Sequence, residues 1–286
     1  MSDKIELTKE ELESLIKNNK LIGQGTEGKC FQKGNEIYKI YHKTYESTYA
    51  IGKGQLDEDG VRIYNPEEKK QLYVKDERII KYTDEEGVKL TVQDGLSRAL
   101  NKGQKITKTR LPSKIIMVDG KVKGCVYPYY RFTSSIYSAI HKPYKTRLKI
   151  CKRLIDQVKE LLDNNIYPVD LCQKGDKRIS DKSIANVLLD LRNNPIIIDL
   201  EGKSTLYTDK HNETYERTAC YNLATVILEL LTREDIQEDF IEENIEMITN
   251  YLRNAGMNEE LVEKYIDSCL NIEDVYTIFD NLSKKR

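Results

Sequence analysis

Two short apolar runs near the middle of the chain, Val187-Leu188-Leu189 and Ile196-Ile197-Ile198, constrain the fold more than any other feature. Each is long enough for one short strand, and together they read as an adjacent pair. Asn186 stands just before the first run, and Asp199 stands just after the second, thirteen residues further on. An amide and a carboxylate placed at the edges of such strands can hold one Mg²⁺ between them. Hard cations take oxygen ligands, and Mg²⁺ is usually bound by one or two carboxylates plus substrate phosphates.

Far upstream lies a glycine-rich run, Gly23-Gln24-Gly25-Thr26-Glu27-Gly28. Glycines let backbone N–H groups approach phosphates with no Cβ in the way. In a dinucleotide-binding fingerprint such glycines open a helix. Here they lead instead into a hairpin, Lys29–Gln32 and Glu36–Tyr41 about the turn Gly34-Asn35. The second strand, Ile37-Tyr38-Lys39-Ile40-Tyr41, carries a lysine among apolar and aromatic neighbours.

Around these pieces the pattern changes from strand to helix. Thr8 to Glu11 spells a capping box with Leu7 and Leu12 as its staple, so a short N-terminal helix with a Leu12, Leu15, Ile16 stripe is expected. Residues 43–90 hold short apolar stretches punctuated by Asp59-Gly60, Asn65-Pro66 and Glu86-Gly87, which read as a β-rich insertion. Val92, Leu96, Ala99 and Leu100 suggest a helix. A further hairpin turns at Asp119-Gly120. Leu148, Cys151, Leu154, Ile155, Val158, Leu161 and Leu162 recur at helical spacing, Ala219–Leu231 reads as a buried helix, and amphipathic helices finish the chain.

Composition narrows the function classes. Charged residues are 33% of the chain, yet the formal net charge is −1, unlike the basic excess of a dedicated nucleic-acid binder. The six cysteines form no CxxC pair, so no zinc spacing is visible and free thiols in a reducing cytoplasm are expected. No run approaches the ~20 apolar residues of a membrane span, so a cytoplasmic protein, or one working in the cytosol of a host cell, is expected.

Read together, these pieces resemble the eukaryotic-like protein kinase superfamily in a divergent form with a shortened activation segment. The resemblance spans roughly residues 20–235. It implies an α+β, bilobal fold: an N-terminal helix over 1–19, a small β-rich N-lobe over 20–130 with the 43–90 insertion, and a mostly helical C-lobe over 131–286. It implies ATP and Mg²⁺ as the groups bound. Gly23, Gly25 and Gly28 match the loop over ATP, and Lys39 matches the strand lysine that pairs its phosphates. Tyr127-Pro128-Tyr129-Tyr130 falls at the hinge, where Tyr129 and its neighbours would meet adenine because proline has no N–H. Asn186 and Asp199 match the metal-holding pair.

Two aspartates compete for the catalytic carboxylate. Asp181 stands five residues before Asn186, the family spacing. Asp170 ends Tyr167-Pro168-Val169-Asp170 directly after the long helix, which matches the family's helix, strand and Asp-Leu register. Choosing it loops out eleven residues, Cys172 to Lys182. The register favours Asp170. The family pairs its strand lysine with a helix glutamate; here the helix about 92–104 offers Asp94, with Glu46 as the alternative. After the metal aspartate stands Leu200-Glu201-Gly202, which displaces the family's glycine by one position. Ala219 stands where the next helix would carry an aspartate.

The resemblance implies an ATP·Mg-dependent phosphotransferase, first of all a divergent Ser/Thr protein kinase. A small-molecule kinase of related fold is the first alternative, and a pseudokinase serving as a binding or regulatory module is the second. The expected partner is a protein or small-molecule hydroxyl acceptor, with a regulatory partner at the 43–90 insertion; no nucleic acid and no membrane are expected. Neither candidate aspartate is preceded by the arginine that would pair with a phosphorylated activation segment. A phosphatase-treated sample should therefore keep its activity. Activity that vanishes on dephosphorylation of Ser204, Thr205, Tyr207, Thr208, Thr214 or Tyr215, and returns on rephosphorylation, would overturn this reading.

Overall fold

The computed structural model describes residues 4–24, 28–41, 82–83, 89–90, 100, 106–171, 186–201, 205–207, 210–233 and 241–284. A six-stranded sheet forms one lobe, in the order β1 (Lys4–Leu7), β7 (Lys114–Val118), β8 (Lys121–Pro128), β4 (Glu36–Tyr41), β3 (Gly28–Lys33), β2 (Lys20–Gln24). All neighbours are antiparallel except β1 and β7, which run parallel. Strand β1 extends the sheet ahead of the expected helix, so the first residues belong to this lobe. Of the expected 43–90 insertion, the described residues hold only the small pair β5 (Tyr82–Thr83) and β6 (Lys89–Leu90).

Alternation assigns the two faces of the sheet. Phe31, Tyr38, Ile40, Ile116, Val118 and Val126 line the outer face and pack against helix α1 (Lys9–Asn18) through Leu12 and Leu15. The capping box forms as expected: Glu11 N–H donates to Thr8 Oγ1 at 3.1 Å, and Thr8 N–H donates to Glu11 Oε2 at 2.8 Å. Ile16 departs from the expected stripe, since it faces solvent. The inner face carries Ile115, Met117 and Cys125, with Lys39 directly opposite Cys125 and Cys30 in the strand register. Both hairpins turn where the sequence placed them. Gly34 (φ 60°) takes the left-handed conformation in the first, and Asp119 (φ 51°) and Gly120 (φ 73°) take it in the second.

The second lobe is built around helix α3 (Glu213–Thr232), on which every side chain from Ala219 to Leu231 is buried. A helix apolar all round must sit at the centre of a core. Helix α2 (Tyr144–Leu162) packs on it with the face the sequence predicted, Cys151, Leu154, Ile155, Val158, Leu161 and Leu162. Helices α4 (Ile241–Asn254), α5 (Glu259–Ile266) and α6 (Ile272–Lys284) complete the lobe. Arg147 on α2 is 1% exposed and donates to the carbonyls of Leu230 and Leu231, two of the orphan carbonyls at the end of α3. Short strands on the lobe's upper side pair as β10 (Ile166–Tyr167) with β13 (Leu206–Tyr207), and as β11 (Val187–Leu189) with β12 (Pro195–Ile197) and β9 (Ser134–Ser135).

The lobes are joined ahead of β7 as well as after β8. Ile106 and Leu111 enter the core of the helical lobe. Glu160 on α2 accepts from Thr107 N–H at 2.9 Å, Thr107 Oγ1 at 2.6 Å and Lys108 N–H at 2.8 Å. Burial alone would raise the Glu160 pKa; the three donors and nearby Lys108 outweigh it and leave the group below its ordinary value. A depressed carboxylate contributes stability above its unfolded pKa, and that stability is lost as pH falls through the lower folded value. Glu160→Gln should therefore destabilise the fold by about 1–2 kcal/mol at neutral pH, with the difference from the parent closing below the carboxylate range. Chemical denaturation at several pH values measures this.

Candidate active site

Lys39 reaches from the sheet lobe to the helical lobe. Its Nζ lies 2.8 Å from Asp199 Oδ1 and 2.5 Å from Glu201 Oε1. The side chains of Lys39 and Glu201 are 7% and 1% exposed, while that of Asp199 is 36% exposed. The ammonium is thus buried between one deep carboxylate and one open to the cleft. The neighbouring thiols add no negative charge. Burial raises Cys30 to about 11, and burial likewise pushes Cys125 well above its ordinary value.

The backbone of β4 at Lys39 is closely packed against its neighbour. A Cβ added at Gly124 on β8 would overlap the Lys39 carbonyl oxygen. Gly28 is explained in the same terms: a Cβ there would overlap the Ile40 carbonyl oxygen. Glycine at 28 is thus required by strand packing before any phosphate is considered. Gly23 lies on exposed β2 with nothing closer than 4.0 Å to a built Cβ, and Gly25 lies outside the described residues.

Pairing of β11 with β12 brings Asn186 and Asp199 to one edge, as the sequence suggested. Ile198 N–H donates to Asn186 O at 2.8 Å. Asp199 has φ 56°, a left-handed conformation uncommon for a non-glycine residue. The surroundings fix it there. Thr205 Oγ1 donates to Asp199 O at 3.3 Å, Tyr207 Oη donates to Leu200 O at 2.6 Å, and Leu200 is fully buried. This clamp also delivers Glu201 to Lys39.

Asp170 follows β10, and Asn186 holds its backbone. Asn186 Nδ2 donates to Asp170 O at 2.7 Å, and Asn186 N–H donates to Leu171 O at 3.2 Å. Asn222 on α3 donates from Nδ2 to Val169 O at 2.8 Å. Val169, Asp170 and Asn186 are therefore one hydrogen-bonded unit anchored to the core helix. Asp181, the rival candidate, lies outside the described residues, as do Glu46 and Asp94.

At the hinge one expectation needs correction. Tyr129 N–H donates to Asn35 O at 2.9 Å, so it is engaged within the sheet lobe and is not on offer to a base. Tyr127 packs beside Ile115, Met117 and Cys125 on the inner face, and its hydroxyl is buried without a hydrogen-bond partner among the described residues. Reasoning from sequence missed two residues. Glu201 was visible as an acid two places after Asp199 but was read only as a displaced glycine motif. Asn222 lies one helical turn beyond Ala219, where an aspartate had been sought.

No protein-family model matches the chain, and no curated protein matches it in sequence. Its fold does match solved structures. One is an apo pseudokinase, GRMZM2G135359, at 11% identity and a TM-score of 0.54, with 100% of this chain and 96% of that chain covered. At that identity the likeness shows the fold alone: the chain has a bilobal, α+β, protein-kinase-like fold.

The anchoring of the Asp170 segment can be tested without knowing the reaction. Asn222→Ala leaves the Val169 carbonyl without its donor in a part-buried setting, a loss of about 1 kcal/mol. The denaturation midpoint should fall with an unchanged slope; a midpoint equal to that of the parent would show that the anchor contributes nothing.

Proposed function

We propose that the chain binds ATP with Mg²⁺ between its lobes and transfers the γ-phosphoryl group to a hydroxyl acceptor. The observation that carries this reading is the convergence of Lys39 and Asp199, 160 residues apart in sequence, with Asn186 and Asp170 tied to the same strand pair. A structural ion pair alone would not account for the second half of that arrangement.

The residues present fit a hard divalent cation. Asn186 is 2% exposed, its Nδ2 is committed to Asp170 O, and its Oδ1 is buried with no hydrogen-bond partner among the described residues. Asp199 presents a partly exposed carboxylate. Amide and carboxylate oxygens suit Mg²⁺. When bound, the ion would neutralise developing charge on the phosphates.

The chain's own residues would do the rest by positioning and charge stabilisation. Lys39 would orient phosphate oxygens with its ammonium. Asp170 would orient the acceptor hydroxyl and take its proton. As the new bond from that oxygen to the γ-phosphorus forms, the bond from phosphorus to the departing ADP oxygen breaks. We place a protein Ser/Thr hydroxyl first among acceptors. Helix α3 already begins at Glu213, so only residues 200–212 follow Asp199 before it. That short segment favours a small-molecule acceptor as the second reading. The engaged Tyr129 N–H, and a pseudokinase among the structural neighbours, support nucleotide-independent binding as the third. A cytoplasmic setting fits helices of which none, among the described residues, is long and apolar enough to cross a membrane.

Asp199→Ala should abolish transfer of label from γ-labelled ATP while leaving the fold, read by far-UV circular dichroism, intact. Asp170→Asn should lower kcat by about 10²–10⁴-fold, the range for a lost general base, with little change in nucleotide affinity. If Asp181→Asn does this and Asp170→Asn does not, the catalytic register is the shorter one. Full turnover in Asp199→Ala would remove the phosphotransfer reading. Offering added proteins and hydroxylated metabolites to the parent enzyme identifies the acceptor class.

A further inference from the structure

We infer that Glu201, carried on the metal-holding segment itself, is the carboxylate that sets Lys39 for the phosphates, in the role a helix of the sheet lobe would otherwise fill. The inference rests on the phosphotransfer reading above and deepens it.

Glu201 Oε1 is the shorter of the two carboxylate contacts to Lys39, at 2.5 Å against 2.8 Å for Asp199. Glu201 is also the more deeply buried, at 1% exposure against 36%. A buried carboxylate is retained only where it is paired, because desolvation strongly disfavours a lone charge. Its backbone is equally determined: Leu200 is fully buried and tied by its carbonyl to the Tyr207 hydroxyl. Nothing on this segment needs to swing inward to complete the pair.

The division of labour follows from exposure. Asp199 faces the cleft and is free to turn to a cation. Glu201 lies behind it, out of reach of solvent, and stays with the lysine. Among the described residues, two carboxylates and one ammonium leave the cluster one negative charge in excess, which suits a divalent ion entering on the Asp199 side. Lys39 and the metal-holding segment then form a single unit spanning the lobes.

The test has one arm that needs no activity. In a double-mutant cycle on thermal melting, Lys39→Met and Glu201→Gln should each lower the Tm. The double variant should melt at or above the less stable single variant, since it leaves no buried charge alone. Strictly additive losses would overturn the pairing. The second arm measures binding of ATP at saturating Mg²⁺, of adenosine, and of ATP across a Mg²⁺ titration. Glu201→Gln should weaken Mg·ATP by about tenfold while leaving adenosine affinity unchanged, because only the phosphates meet Lys39. Equal losses for both ligands would make Glu201 merely structural and overturn the inference. A variant whose defect disappears at high Mg²⁺ would make Glu201 a metal ligand and also overturn it. A Mg·ATP loss that follows Asp94→Asn or Glu46→Gln instead would return the role to the sheet lobe. If the parent chain binds no Mg·ATP although the cycle shows coupling, the phosphotransfer reading falls and the Lys39–Glu201 pairing stands. Should Glu201→Gln fail to fold alone, the double variant against Lys39→Met still reports the coupling.

Discussion

One ammonium held between two carboxylates ties the two lobes of this protein together. Lys39 comes from the centre of a sheet, and Asp199 and Glu201 come from a segment rooted in the helical lobe. The attraction among such groups and the penalty for taking them out of water are both several kcal/mol. The net contribution to stability is therefore modest, and the main consequence is placement. The two sides of the cluster have their backbones fixed independently: Lys39 by close strand packing at Gly124, Asp199 and Glu201 together by the buried Leu200 and its clamp. The cluster brings together groups that separate elements already aim at one another.

The helical lobe supplies a comparable frame for the opposite side of the cleft. Helix α3, buried along most of its length, carries Asn222, and Asn222 holds the segment ending at Asp170. Asn186 closes the arrangement from the strand pair. Asp170 and Asn186 thus stand one or two hydrogen bonds away from a helix buried along most of its length. Glu160 does similar work at the rear, where it fastens the chain ahead of β7 to α2. Both lobes therefore have a fixed reference within the same core.

Much of this was legible in the sequence because it depends on periodicity. Lys39 sits in an alternating strand, Asn186 and Asp199 bracket two apolar runs, and the α2 and α3 faces repeat at helical spacing; all of these are local patterns. The features that escaped depend on contacts between distant segments. Glu201 is an ordinary acid until the fold places a lysine against it. Asn222 is one polar residue in an apolar helix, and its purpose appears only when Val169 arrives beside it. Gly28 carries two demands at once. It fits a phosphate-loop spacing, and a neighbouring strand's carbonyl also requires glycine there. Tyr129 looked available at the hinge because nothing in the sequence announces that Asn35 will accept its N–H. Strand β1 was missed because four residues alternating at an edge carry little signal without their partner.

That first strand has a consequence for how the molecule assembles. β1 spans Lys4–Leu7, but the strand it pairs with spans Lys114–Val118, and the pairing is parallel. Closing so long a loop carries an entropic penalty, and non-local strand pairing slows folding. The β3–β4 hairpin and the β7–β8 hairpin can each form from neighbouring residues. The edge strand has nothing to join until the chain through β7 has been made and ordered. Its arrival is therefore a late event, one that depends on the sheet lobe having already found its register.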